Sequence, residues 1–188
     1  MTTARKSRDD AHLAETRIDG EAVFDGALLH VRRDRVRLPD GNVATREYVV
    51  HPGAVLVVPV RDDGRYVMER QFRYPLARVF IEFPAGKIDP GEEPLACARR
   101  ELAEETGHAA ARWQRLGVIH PVISYSTEHI ELWRADGLTE VGRHLDDGEF
   151  LEIAAMSHDE LLAAFDRGEI TDSKTVAALF MLERARQR

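Results

Sequence analysis

Gly86–His108 reads GKIDPGEEPLACARRELAEETGH, a loop running into a helix, and the spacing within it decides the architecture of the chain. Glu92 follows Gly86 after five residues, Arg100-Glu101-Leu102 come after seven more, and Glu104-Glu105 and Gly107 close the stretch. A helix turns about 100° per residue, so Glu101, Glu104 and Glu105 share one arc of its surface. Leu95, Ala98 and Leu102 form an apolar stripe at helical spacing, the face that packs on a core. Pro94 suits the first turn, where a missing N–H costs nothing, and Gly107 is the left-handed residue expected just past the last turn. Between them and the preceding strand, Lys87–Glu93 with Asp89-Pro90-Gly91 reads as a loop. The helix is therefore expected to bury one face and to turn an acidic face to water.

Like charges at i,i+4 weaken a helix, so three adjacent carboxylates call for a reason. One reason is ordinary solvation, since charge runs are most often surface faces. The other is a hard divalent cation, because Mg²⁺ and Mn²⁺ prefer oxygen ligands. The order of the whole stretch favours the second. It resembles the Nudix box, GX5EX7REUXEEXGU with U aliphatic, and Gly86, Glu92, Arg100, Glu101, Leu102, Glu104, Glu105 and Gly107 occupy its fixed positions. His108 stands where the pattern has an aliphatic residue that serves packing.

The resemblance implies a fold and a set of roles. The fold is α/β (α+β), a Nudix α/β/α sandwich with a mixed sheet over about residues 51–188. An N-terminal antiparallel β extension occupies 17–50, and 1–16 form a polar, mobile terminus. Glu101 and Glu105 match the principal side-chain metal ligands, Glu104 a second-site or water-mediated one, and the backbone carbonyl of Ala85 a main-chain ligand. Arg100 matches the arginine that orients a carboxylate, with Glu92 as its partner; both would stiffen a cluster that repels itself. The implied cofactor is Mg²⁺, with Mn²⁺ as a substitute, neutralising charge on the phosphates and polarising the attacking water.

The flanks look like the ADP-ribose pyrophosphatase branch of the family: Gln71-Phe72-Arg73, then Ile81-Glu82-Phe83-Pro84-Ala85-Gly86-Lys87. In that branch the arginine after the Gln-x pair reaches the substrate diphosphate, which implies that role for Arg73. Glu82 interrupts an apolar strand, so it must be paired if buried, holding a nearby arginine or touching substrate. The branch takes its general base from an acidic loop before the last strand. Here Asp146-Asp147-Gly148-Glu149 is that loop, with Glu149 the first choice, Asp147 the second, and a plain solvated turn the alternative. Pro121 stands fourteen residues past Gly107, and His120–Glu128 looks more like related nucleoside-diphosphate-sugar hydrolases, placing Pro121 and Glu128 among candidate substrate contacts.

Composition limits the other classes. The chain has 188 residues, is 44% hydrophobic and 31% charged, and carries a net charge of −7. That balance argues against a nucleic-acid backbone as partner, and so against mRNA decapping. No apolar run reaches the ~20 residues of a membrane span, and the start of the chain has no signal-peptide core. Cys97 is the single cysteine, so no internal disulfide forms and a reducing cytoplasm is expected. The eight histidines show no HExxH spacing, which excludes the common zinc hydrolases.

Strand-like runs are Ala27–Val31, Arg35–Leu38, Arg46–Val50, Ala54–Val60, Tyr66–Arg73, Val79–Phe83, Trp113–Ile119, Glu128–Ala135 and Leu151–Met156. Asp40-Gly41 suggests a hairpin. Ser157-x-x-Glu160 is a capping box for a helix to about Arg167, and a last helix spans Ser173–Arg186. Met156 and Met181 read as core filler. The expected activity is hydrolysis of the diphosphate of ADP-ribose, or of a related nucleoside diphosphate sugar. GDP-sugar hydrolysis with the same machinery and ligand sensing without turnover are the alternatives. Residues 17–50 carry too little apolar surface for a core of their own, so they are expected to pack on something; the resemblance implies the partner subunit of a homodimer, the alternative being added sheet on their own domain.

Overall fold

The computed structural model describes residues 10–145 and 148–187. They form two compact units, one of residues 10–51 with Val122–Thr127, the other of Pro52–Pro121 with the chain from Glu128 onward. Met1–Asp9, most of the terminus expected to be mobile, lie outside the described residues; Ala11–Leu13 form a short 3-10 turn.

The first unit is an antiparallel sheet in the order β1 (Thr16–Asp25), β2 (His30–Arg37), β3 (Val43–Val50). The hairpin expected at Asp40-Gly41 joins β2 to β3, with Gly41 at φ 88° and the Asp40 carboxylate accepting from the Asn42 N–H at 2.9 Å. Only Asp34 and Val36 are buried in this sheet. Asp34 accepts from Arg17 Nε at 2.8 Å and from the Tyr48 hydroxyl at 2.9 Å. Gly20 makes room for it: a Cβ there would stand 1.8 Å from Asp34 Oδ1. All ten residues of β1 are exposed, which is why no alternation marked this strand in the sequence.

The second unit carries a mixed sheet in the order β10-β5-β4-β9-β8. Its strands are β4 (Ala54–Val60), β5 (Tyr66–Arg73), β8 (His108–Ile119), β9 (Ile130–Glu140) and β10 (Leu151–Met156). Every residue of β4 is buried, as its unbroken apolar run predicts, and β4 runs parallel to β9. β8 and β9 extend further than their apolar segments suggested: their outer halves pair with each other, and only Ala110 and Leu138 there pack against the cluster under α1. β4 and β5 are joined at Val60–Tyr66 and then part. Into the gap come β6 (Arg78–Glu82) on β5 and β7 (Ala85–Lys87) on β4, with the chain crossing at Phe83-Pro84. Lys87, expected in the loop, closes β7.

Helix α1 (Pro94–Thr106) packs on one face of this sheet through Cys97, Ala98 and Leu102 against Val55, Val57 and Ala135. Helices α2 (His158–Asp166) and α3 (Ser173–Arg186) cover the other face, where Leu161, Leu179 and Leu182 meet Leu56, Met68 and Phe83, with Met156 and Met181 alongside. This is the α/β/α sandwich expected. Pro94 and Gly107 (φ 73°) bound α1, and Ser157 and Glu160 form the capping box of α2, both as read from sequence.

Candidate active site

Arg100 organises the start of the site. Its Nε and Nη2 donate to the two Glu92 oxygens at 3.0 and 2.9 Å, Nη2 also reaches the Lys87 carbonyl at 3.1 Å, and Nη1 donates to Glu101 at 2.8 Å and Glu104 at 3.0 Å. One guanidinium thus ties the loop to three carboxylates of the loop-helix unit. The Arg100 hydrogen bonds hold Glu92 down at about 2. Cys97 lies buried beneath this knot with its thiol 3.3 Å from the Lys87 carbonyl. Burial pushes the thiol up to about 12, so it is no nucleophile.

The acidic face does not open to water as expected. Glu101 is 8% exposed and Glu105 4%, because the β6–β7 crossing lies over them. Gly86 is the point of closest approach: a Cβ there would stand 1.9 Å from the Glu101 carboxylate. Glu105 accepts from the Ala85 N–H at 3.0 Å, which brings the Ala85 backbone beside the cluster. Burial pushes Glu101 up to about 7 despite Arg100. Glu105 is raised as well, first by burial and then by the charge of Glu69.

Glu69, which sequence reading passed over, stands on β5 facing this cluster. It is 1% exposed, and its own carboxyl is raised by burial and by Glu82. The strand's alternation held the signal: Glu69, Gln71 and Arg73 share one side of β5. Register places Glu82 of β6 directly opposite Glu69. Glu82 is equally buried but fully paired, with Arg73 donating to both its oxygens at 2.8 and 2.9 Å and Lys174 donating to the second. Burial alone would raise Glu82; the two cations outweigh it and hold the carboxyl below its ordinary value. Lys174 in turn donates to Asp172 at 3.0 Å, and Asp172 caps α3 through Thr175. No sequence pattern linked Lys174 to Glu82, since the partners are far apart in the chain.

Of the remaining candidates, Glu149 is half-buried just before β10, and its charge acts on both Glu101 and Glu105. It lines a cavity of about 430 Å³ with Arg70, Phe72, Val79, Phe150 and Glu152. Asp147 lies outside the described residues. Pro121 ends the β8 side of the connection to β9, and Glu128 precedes β9, both half-buried. Register puts the start of β9 across β4 from the box loop, with Ala54 opposite Ile130 on one side and Lys87 on the other.

Buried carboxylate oxygens beside Gly86, where a Cβ would stand 1.9 Å from the Glu101 carboxylate, are the hard donors that a divalent cation takes, although among the described residues no three acidic side chains are gathered closely enough to cage one. Soft-metal ligation is absent from the donor set, Cys97 being occupied by the Lys87 carbonyl.

Comparison with known proteins gives the family. The NUDIX domain family matches residues 50–179, and the family described as nucleoside diphosphate sugar hydrolase N-terminal domain matches residues 15–49. The chain belongs to the Nudix hydrolases, enzymes that generally use divalent metal ions. The ADP-ribose pyrophosphatase of Bacillus subtilis is 37% identical over 173 residues, 91% of this chain and 94% of the relative. That of Mycobacterium tuberculosis is 37% identical over 166 residues, 86% of this chain and 80% of the relative. A crystal structure of an ADP compounds hydrolase superposes with a TM-score of 0.82 at 24% identity, over 90% of this chain and 92% of that one, a likeness of fold.

Proposed function

We propose that this chain is a Mg²⁺-dependent pyrophosphatase of ADP-ribose, or of a related nucleoside diphosphate sugar, releasing AMP and ribose 5-phosphate from ADP-ribose. The observation that carries this is the Glu101–Glu105 wall held by Arg100 and the Ala85 N–H beside Arg73 and Glu82. Two relatives of near full-length coverage are named ADP-ribose pyrophosphatases, which supports the substrate class.

In this reading Glu101 and Glu105, with the Ala85 carbonyl and Glu104, hold the cation. When bound, that ion supplies positive charge against the phosphate oxygens and makes water easier to deprotonate. Arg73, fixed by Glu82 and Lys174, directs its guanidinium at the diphosphate. Glu149 takes the proton as water attacks one phosphorus; the P–O–P bond breaks and the other phosphate leaves with the bridging oxygen. Pro121 and Glu128 complete the contacts to the sugar or base. Arg100 and Glu92 keep the cluster in place.

The enzyme works in the cytoplasm and as a homodimer. Ile18, Val23, Phe24, Leu28, Leu29 and Val43 stand exposed on the three-stranded unit, apolar surface that a second copy would cover. Light scattering should give twice the chain mass; a fully active monomer would contradict the dimer. The function itself is tested by a substrate panel with Mg²⁺, scoring monophosphate released from ADP-ribose, ADP-glucose, GDP-mannose and NADH. ADP-ribose should give the highest kcat/KM; a preference for GDP-mannose would move the assignment to GDP-sugars.

A further inference from the structure

The stretch that follows β9 is tied to two parts of the site at once. Its first tie is to the end of α1: the Val141 N–H donates to the Gly107 carbonyl at 2.9 Å, and the His144 N–H to the Glu104 carbonyl at 3.2 Å. Its second is to the start of β10, where Arg143 Nη2 donates to the Leu151 carbonyl at 2.7 Å. Leu151 is the first residue of β10 and stands two residues after Glu149. Arg143 thus bridges the helix turn that carries Glu104 and Glu105 and the strand end that carries Glu149.

The contact is built in from both ends. Gly107 admits the stretch, since a Cβ there would stand 3.2 Å from both the Arg143 nitrogen and the Arg143 Cβ. Gly142, at φ 92°, makes the turn just before Arg143. The Glu104 carbonyl belongs to the last turn of α1, where a carbonyl has no partner within the helix, and the stretch supplies one. At the other end, β10 is the last strand of its sheet, with Leu151–Gln71 its first pair. The end of such a strand is where pairing frays most readily, and a displacement there moves Glu149 directly.

Resting on the reading of Glu149 as the base, we propose that Arg143 is a positioning residue for the reaction, its bond to Leu151 setting the distance from Glu149 to the carboxylates of α1. A base works only within about 3 Å of the group whose proton it takes. A shift of about 1 Å in the strand end therefore slows the chemical step and leaves ground-state binding alone. Arg143 lies well outside the Gly86–His108 pattern and touches neither metal ligand nor base side chain; it acts through the backbone.

Steady-state kinetics on ADP-ribose with Mg²⁺, run on Arg143→Ala, Glu149→Gln and the double variant, test this. Arg143→Ala should lower kcat by about tenfold or more with KM unchanged, the scale of a small displacement of a reacting group. Added to Glu149→Gln it should cost nothing further, because it acts through Glu149. Arg143→Lys, which can still donate to the Leu151 carbonyl, should recover much of kcat. Where Arg143→Ala fails to fold by circular dichroism, Arg143→Met keeps the stem, loses the donor and is held to the same criteria. A loss that persists in full on the Glu149→Gln background overturns the proposal, as does an unchanged kcat or a raised KM. Undiminished turnover by Glu149→Gln alone overturns the base assignment and this inference with it, while the hydrolase reading stands. A wild-type chain inactive on every substrate of the panel overturns that reading itself.

Discussion

Glu69 and Glu82 face each other across two paired strands, equally buried, in opposite circumstances. On the Glu82 side a chain of partners runs from Arg73 through Lys174 and Asp172 to the cap of α3, and every charge meets its counterpart. On the Glu69 side, Glu105 has the Ala85 N–H, Glu101 shares Arg100 with Glu92 and Glu104, and one oxygen of Glu69 has no hydrogen-bond partner. Burial of a charge is therefore uninformative by itself in this protein. What separates the two sides is whether the charge is offset: Glu82, compensated, positions an arginine, and the carboxylates of α1 are the ones proposed to take a cation.

The largest effect away from the metal wall is expected at Glu149. Glu149→Gln should lower kcat on the order of 10²-fold with little change in KM, since it removes a proton acceptor and not ground-state binding. If Asp147→Asn shows that loss instead, the base is Asp147; if neither does, the base lies elsewhere. Arg73→Ala should act on both sides of the comparison. It should raise KM for ADP-ribose by about tenfold and cost about 1–3 kcal/mol of stability, because Glu82 keeps only Lys174 in a buried site. A normal KM with lowered stability would reduce Arg73 to scaffold.

The smallest effect is in the pH dependence of stability in chelator, where the two sides have opposite signs. Glu82 and Glu92 titrate below their ordinary 4.5, so the stability they confer is present above that value and fades as pH falls, through about 2 for Glu92. Glu101, raised from 4.5 to about 7, is protonated in the fold where the unfolded chain is ionised, so it weakens the fold as pH climbs through that interval. Melting temperature should therefore decline from about pH 5 toward 7, with Glu69 and Glu105, raised in the same direction, adding to the fall, and Glu101→Gln should make the decline shallower. A melting temperature that rises steadily to pH 7 in chelator would contradict this.

Much of this was legible in the sequence, and the omissions have physical causes. Periodicity and end signals found α1, α2, α3, β5 and β10, because Pro94, Gly107, Ser157 and the period-2 runs act locally. The box spacing placed Glu101 and Glu105 on one arc of a helix. It gave no indication of what lies over that arc, which is set by the β6–β7 crossing at Phe83-Pro84, so the wall was expected in water and is buried. Glu69 was hidden because nothing in Val67-Met68-Glu69-Arg70 indicates that β6 pairs beside it and that Glu105 of α1 comes within hydrogen-bonding reach. Lys174 was hidden because its partnership with Glu82 exists only after the last helix docks. β1 was missed because a strand exposed along its whole length leaves no burial pattern.

We propose that the buried carboxylates of α1 bind the cation on which diphosphate hydrolysis depends. The most direct test is monophosphate release from ADP-ribose by wild-type chain and Glu105→Gln, each in chelator and then at saturating Mg²⁺. The wild type should be inactive in chelator and recover fully with Mg²⁺, while Glu105→Gln, folded by circular dichroism, should be inactive in chelator and regain little of the wild-type turnover with Mg²⁺. Near-wild-type turnover by Glu105→Gln at saturating Mg²⁺, or wild-type turnover undiminished in chelator, would contradict it.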